Sequence, residues 1–258
     1  MKVFIVKKKA LAAVLTAAIL LAVGITAGAV AFGGAENAFA KNRKLPIYRV
    51  ETEEKKIAVS FDCAWGTEYT DSLLQTMEEK GVVSTFFCVE FWTEKHPDYV
   101  KKISDMGHDV GTHSATHPYM SKLDKETMQR ELSTSKEAIE NITGKTVKVF
   151  RPPYGDYNDA LVETAEEMGL YTIQWDVDSL DWKNLSAKEI YNRVVPKVKN
   201  GSIVLFHNNG LHTAEALPDI IDALRNAGYE FVTIYDLIYK DNYIMGADGS
   251  QKPIGARQ

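Results

Sequence analysis

Apolar and polar positions alternate along this chain in two periods. The run Ile57-Ala58-Val59-Ser60-Phe61-Asp62 is apolar at nearly every position until its last residue, the pattern of a strand buried on both faces. Thr70 to Lys80 then reads as a helix, with Thr70 as N-cap and Gly81 as the stop. The same order recurs. A strand over 82–89 precedes a helix from Pro97 to Met106. A short strand at 108–112 precedes a long helix from Asp124, in which Met128, Leu132, Ile139 and Ile142 recur at helical spacing before Gly144. A strand over 147–150 leads to a helix over 158–168. A strand over 171–176 leads to a helix capped by Ser186 and interrupted at Pro196, which lacks a backbone donor. A strand over 202–206, a helix over 213–227, a strand over 229–233 and a short helix ending near Tyr239 complete the series. After Lys240 the chain is polar and Gly-containing and is expected to be loose.

Seven strand–helix units with largely apolar strands predict an α/β fold: a mostly parallel sheet covered by helices. A distorted (β/α)7 barrel fits that count, with an open doubly wound sheet as the alternative. Residues 55–240 would form this domain, 41–54 a linker to it and 241–258 a polar tail. The N-terminus is of another kind. Lys2, Lys7, Lys8 and Lys9 precede an apolar and small-residue run from Ala10 to about Phe32, long enough for a hydrophobic helix that spans a bilayer. Ala38-Phe39-Ala40 offers a small-x-small cleavage site. Residues 1–40 are therefore expected to be a retained membrane anchor or a cleaved signal peptide, and either one places the remainder outside the cytoplasm.

Charge narrows the partners. The 258 residues carry a formal net charge of -5, and no dense basic patch with interleaved aromatic residues occurs, so no nucleic-acid partner is expected. There are two cysteines, Cys63 and Cys88, and no Cys-x-x-Cys. Cys88 lies in a largely apolar run and is expected to be a small buried core residue.

In a barrel, chemistry gathers at the C-terminal ends of the strands. Those ends carry Asp62 and Cys63, then His113 and His117 at a spacing of i and i+4, which suits two imidazoles on one divalent metal. Arg151 heads a proline-stiffened turn, Arg151-Pro152-Pro153-Tyr154-Gly155. Asp178 and Asp181 lie between Trp175 and Trp182, and His207 emerges from an apolar strand. Asp62, His113, His117, Arg151, Asp178 or Asp181, and His207 thus fall on one rim, and no comparable set falls at the opposite ends. That convergence is expected of an enzyme's site.

The motifs Ser60-Phe61-Asp62-Cys63, His113-Ser114-x-x-His117, Arg151-Pro152-Pro153-Tyr154-Gly155, Asp178-x-x-Asp181-Trp182 and Leu205-Phe206-His207, in this order, resemble the polysaccharide deacetylases of the NodB-homology type, carbohydrate esterase family 4. The resemblance spans about residues 55 to 240. The form Phe61-Asp62-x-Ala64-Trp65-Gly66, with the N-terminal segment, looks most like the sporulation-associated branch. The resemblance implies a hydrolase that uses a divalent metal (zinc, or cobalt or manganese) to remove N-acetyl groups from an amino-sugar polymer. For an exported protein that polymer is expected to be peptidoglycan. It further implies Asp62 as general base, held ionised by Arg151, His113 and His117 as metal ligands, and His207, oriented by Asp181, as the acid that protonates the leaving amine. The Tyr154 backbone would help hold the oxyanion, and Leu205 and Trp182 would line a pocket for the acetyl methyl.

One position departs from the family's pattern, which has a second Asp as metal ligand where this chain has Cys63. Cys63 is then a thiolate ligand, or Asp62 is drawn into the metal's sphere, or metal binding is weak. Two other functions stay open beside N-deacetylation: removal of O-acetyl groups from a polysaccharide, and a catalytically impaired glycan-binding or assembly protein.

Overall fold

The computed structural model describes residues 43–255. The expected anchor or signal at 1–40 lies outside them. Among the described residues no helix is long and apolar enough to cross a membrane.

The central strand is β2 (Lys56–Cys63), after a two-residue β1 (Arg49–Val50). The strand-rich series continues as β3 (Thr85–Cys88), β4 (Asp109–Thr112), β5 (Val149–Phe150), β6 (Tyr171–Thr172), β7 (Val177–Asp178) and β8 (Ile203–His207). They form one parallel sheet in the order β6-β5-β4-β3-β2-β8-β7. Consecutive strands are neighbours around a barrel that stays open between β6 and β7. The segment at Ile47 lies against the β6 side of that opening: its N–H donates to the Thr172 carbonyl at 2.8 Å, and its carbonyl accepts from Gln174 N–H at 2.7 Å. The expected barrel is thus present as a partial one.

The helices pack outside. They are α1 (Thr70–Glu79), α2 (Glu90–Lys95), α3 (Pro97–Asp105), α4 (Lys125–Thr143), α5 (Asp159–Glu167), α6 (Ala187–Val194), α7 (Thr213–Asn226) and α8 (Ile234–Leu237). Their boundaries follow local chemistry. Asp124 accepts from Thr127 N–H at the start of α4, and Gly144 ends it at φ 68, a left-handed conformation that costs glycine little. Ser186 and Glu189 form a capping box on α6, and Pro196 turns the end of that helix into a short 3-10 stretch.

Side chains alternate across the sheet, as the strand period requires. Val59, Phe61, Cys63, Phe86, Cys88, Val204 and Phe206 pack in the core between sheet and helices, where Phe61 stacks on Phe86 at 5.0 Å and lies 5.6 Å from Phe206. Ala58, Phe87, Val149, Ile173 and Ile203 form a second core inside the barrel. Gly111 faces this interior: a Cβ there would lie 2.8 Å from both Phe87 and Val149. Cys88 is fully buried, as the sequence leads one to expect.

Four expectations are corrected. The strand expected over 171–176 ends at Thr172, and the seventh barrel strand is β7, which is two residues long and carries no periodicity to detect. The strand expected over 229–233 is β9 (Glu230–Phe231), paired only to the start of β2 at Lys56 and Ile57. The segment after Lys240 is not loose as far as Gly255. β10 (Tyr243–Met245) and β11 (Ser250–Pro253) form a hairpin, and β11 pairs in parallel with β1. Gln251 docks that hairpin by exchanging side-chain hydrogen bonds with the Tyr239 backbone, at 2.8 Å each way. The region expected as a linker likewise contributes buried Ile47 and Val50 to the interior.

Candidate active site

Asp62 points into the barrel mouth from the end of β2. Its Oδ1 accepts from Arg151 Nη1 at 2.8 Å, and its Oδ2 lies 3.5 Å from His113 Nε2. Burial alone would raise this carboxyl. Burial is the largest single influence, but the Arg151 charge and hydrogen bond together with His113 and His207 outweigh it, and the net position is below the ordinary carboxylate value. Arg151 is itself fully buried, its guanidinium 4.2 Å from the Phe87 ring centroid and 5.5 Å from that of Trp175. Its Nη2 donates to the Gln174 carbonyl at 3.3 Å, which fixes the fork's direction.

His113 and His117 sit on the loop after β4. His113 Nδ1 is 2.7 Å from the Arg151 carbonyl oxygen. That oxygen can only accept, so the ring proton is on Nδ1 and Nε2 presents its lone pair to the site. Burial keeps both imidazoles neutral: it lowers His113, and together with His113 it brings His117 to about 4. Their ring centroids are 4.9 Å apart. The loop is strained, with Ser114 at φ 71 and His117 at φ 60. Glu131 of α4 holds it in place, accepting from Ala115 N–H at 2.9 Å, Thr116 N–H at 2.8 Å and Thr116 Oγ1 at 2.7 Å.

His207 ends β8 directly opposite Asp62 in the β2–β8 register. Its Nδ1 donates to Asp181 Oδ1 at 2.7 Å. Asp181 follows β7 in a short 3-10 turn and is fully buried; its Oδ2 accepts from His207 N–H at 2.8 Å and Thr213 Oγ1 at 2.7 Å. Gly210 lets the two approach, because a Cβ there would run into Thr213 Oγ1 and Asp181 Oδ2. Burial opposes the imidazolium, but the Asp181 hydrogen bond and charge, with Asp62 and Asp178, outweigh it and move His207 upward. The arrangement therefore pairs a carboxyl shifted toward its ionised form with an imidazole shifted toward its protonated form, the division of labour that acid–base catalysis needs.

These groups line a cleft of about 530 Å³. Leu205, Trp182 and Tyr154 stand in its wall, and Tyr154 is held at φ 60 in the rigid turn after Arg151. Asp178 also lines the cleft, whereas Asp181 lies behind His207. Sequence reasoning missed Trp65 and Asn184 in the wall, and Glu131 and Thr213 behind it. Trp65 was detectable: it follows the strand end by three residues and is more than half exposed.

Cys63 is the correction. It is the next residue after Asp62 on a strand, so its side chain faces the opposite side. It is fully buried in the core beneath the helices, beside Cys88 in the strand register, and its Sγ lies 3.9 Å from the Phe61 carbonyl. Burial and the Cys88 contact raise the thiol well above its ordinary value, the reverse of what a thiolate ligand needs. Cys63 is not a metal ligand here. Among the described residues no group of three or more His, Cys, Asp and Glu side chains is placed to hold a metal. The donors that suit a divalent ion are the two neutral imidazoles, with a buried His117 Nδ1 that has no hydrogen-bond partner; Asp62 stands beside them, its Oδ2 against His113.

A partial parallel barrel with a carboxylate, paired imidazoles and an acid–base rim at its strand ends defines a hydrolase-type α/β site. Comparison with known proteins makes this specific. The polysaccharide deacetylase family model matches residues 49–173. The chain is 35% identical over 196 residues to a peptidoglycan-N-acetylglucosamine deacetylase of Bacillus cereus, covering 74% of this chain and 92% of that protein. It is 33% identical over 193 residues to the uncharacterized protein YlxY of Bacillus subtilis, covering 75% of this chain but spanning only 60% of YlxY. Among solved structures it is similar to BA3943, described as a CE4 family pseudoenzyme from Bacillus anthracis, at TM-score 0.72 and 33% identity, covering 80% of this chain and 69% of that one. The chain belongs to the polysaccharide deacetylase family, carbohydrate esterase family 4.

Proposed function

We propose that this protein hydrolyses N-acetyl groups from an amino-sugar polymer of the cell envelope, peptidoglycan, outside the cytoplasm, with a divalent metal, zinc, cobalt or manganese, held by His113 and His117. The observation that carries the reading is the pairing of Asp62 with His207 across β2 and β8, one driven toward its ionised form and the other toward its protonated form. A bound metal would supply Lewis acidity and lower the pKa of water to about 7. Asp62 takes the proton of the attacking water, and Arg151 keeps it ionised and aimed. The new bond forms between water oxygen and the acetyl carbon, and the carbon–nitrogen bond breaks. His207, backed by Asp181, delivers its proton to the departing sugar nitrogen, giving acetate and a free amine. The Tyr154 backbone contributes to the oxyanion's surroundings, and Leu205 and Trp182 flank the acetyl methyl. Residues 1–40 support export, as anchor or signal, and the Phe61-Asp62-x-Ala64-Trp65-Gly66 form supports a role in sporulation.

The test is mass-spectrometric. Incubated with zinc, the full chain is expected to remove acetyl groups from N-acetylglucosamine oligomers or peptidoglycan and to leave O-acetylated xylan intact. Loss of acetyl from xylan alone would mean an O-acetyl esterase. A second reading, glycan binding without turnover, is favoured by Cys63, whose outward face leaves the donor set short of the three protein ligands common at catalytic zinc.

The Glu131 brace is expected to matter for metal. Glu131→Ala should weaken zinc affinity about 10–100-fold, since it frees the loop that carries both imidazoles. Competition with a chromogenic chelator reads this, and unchanged affinity would show that the loop holds itself.

A further inference from the structure

The two imidazoles of the cleft are fixed in different ways. His113 has a hydrogen bond to hold its ring, from Nδ1 to the Arg151 carbonyl at 2.7 Å. His117 has none at Nδ1, which is enclosed and without a partner. Two other rings meet it instead. Trp65 lies 5.1 Å away between centroids at 69° between planes, and Tyr154 lies 4.6 Å away at 75°. Steep contacts of this kind are attractive, because the positive edge of one ring meets the negative face of another. Tyr154 is set by its proline-stiffened turn and by stacking on Tyr119 at 4.4 Å.

Trp65 is more than half exposed, and exposed side chains ordinarily change rotamer freely. This one is tethered through the next residue. The Gly66 carbonyl accepts from Trp92 Nε1 at 2.8 Å and from Asn208 Nδ2 at 2.9 Å. Trp92, on α2, and Asn208, directly after His207, are both buried. Two donors on one carbonyl oxygen occupy both of its lone pairs. Asn208 also donates from its backbone N–H to the Asp62 carbonyl at 3.1 Å, and from Nδ2 to Thr70 Oγ1 at 3.3 Å. The turn that carries Trp65 is therefore tied to α1, to α2 and to the end of β8. The Trp65 ring contacts Phe91, at 6.5 Å, as well as His117.

We propose that Trp65, tethered at Gly66 by Trp92 and Asn208, is a positioning residue for His117. It holds by ring contact the imidazole that no hydrogen bond at Nδ1 holds, and so raises the affinity of the site for a divalent ion. A side chain that must be ordered on binding weakens binding by the cost of ordering it. Glu131 acts on the backbone of the same loop, whereas Trp65 acts on the ring. The inference rests on the reading of His113 and His117 as the residues that hold the metal.

Zinc affinity of the full-length protein is read without substrate, by competition with a chromogenic chelator. Trp65→Ala is expected to weaken it about 3- to 10-fold, the size of one aromatic contact, and Trp65→Phe, which keeps a ring, to stay within about twofold of wild type. Asn208→Ala should weaken it in the same direction. A second readout needs no metal: carbon relaxation of the histidine rings, by nuclear magnetic resonance on the chelated protein. Trp65→Ala should make the His117 ring more mobile and leave His113, which keeps its hydrogen bond, as it was; a general loss of structure would loosen both. Unchanged zinc affinity, an unchanged His117 ring, or equal loosening of the two rings in Trp65→Ala would each overturn the proposal. A wild type that binds no zinc would sink the metal reading separately, and the relaxation of His117 would still uphold or overturn the ring contact.

Discussion

His207→Ala is expected to slow acetate release by about 10²–10⁴-fold, the usual contribution of a positioned acid, while zinc affinity is expected to stay within about threefold because His207 is not one of the two proposed metal-holding residues, His113 and His117. An amide nitrogen that departs without a proton is a poor leaving group, and His207 is a side chain in the cleft whose surroundings favour a held proton. The pH profile checks the same assignment. His207 must enter as the imidazolium, and Asp181 moves its pKa upward, so activity persists above the ordinary histidine value of about 6.5 and falls as pH rises through the raised one. On the acid side, a proton on His117, which burial and His113 hold off until about pH 4 in the metal-free protein, would compete with the proposed metal, so activity is expected to fall as the pH is lowered. Asp181→Asn removes the upward pull and should move the basic limb down without moving the acid limb. A basic limb that stays in place would assign it to another group.

Arg151→Met is expected to be the most destabilising substitution at the site, by about 3–5 kcal/mol, the cost of leaving a buried charge without its partner. For a domain of this size that is a fall in Tm of roughly 10 °C. The pair is buried on both sides, with Arg151 fully enclosed between Phe87 and Trp175 and Asp62 nearly so. Without the guanidinium, burial dominates at Asp62 and its carboxyl rises, so the base is lost as well as the stability. Adding Asp62→Leu removes the stranded charge and should recover most of the Tm but none of the activity. Thermal unfolding of the single and double variants measures this, and a single variant as stable as wild type would show that the pair contributes nothing net.

The strand ends were legible in the sequence because long apolar runs announce their own termini. Asp62 and His207 each follow such a run, Arg151 follows a short one broken by Lys148, and His113 follows a largely polar strand whose place is given by the strand–helix order. Elements without a run were not legible. Val177–Asp178 is two residues long, and β11 is polar, with Ser250 and Gln251 buried through hydrogen bonds that no hydrophobic pattern encodes. Glu131 looks like any charge on a helix until the loop folded over it is seen. Cys63 was the instructive case. The family's pattern at that position suggested a metal ligand, but the side-chain alternation of a strand, which sends Asp62 inward, sends Cys63 outward into the core.

The central claim is that the acid–base rim works around the imidazoles without help from position 63. Its most direct test is acetate release from N-acetylglucosamine hexamer by the wild-type chain and by Cys63→Asp, each with zinc and with a chelator. The expected result is zinc-dependent acetate from wild type, and no gain from Cys63→Asp, whose new carboxylate would be buried beneath the helices. No acetate from wild type with zinc, cobalt or manganese, and substantial release by Cys63→Asp, would contradict the claim and make the native protein a glycan binder.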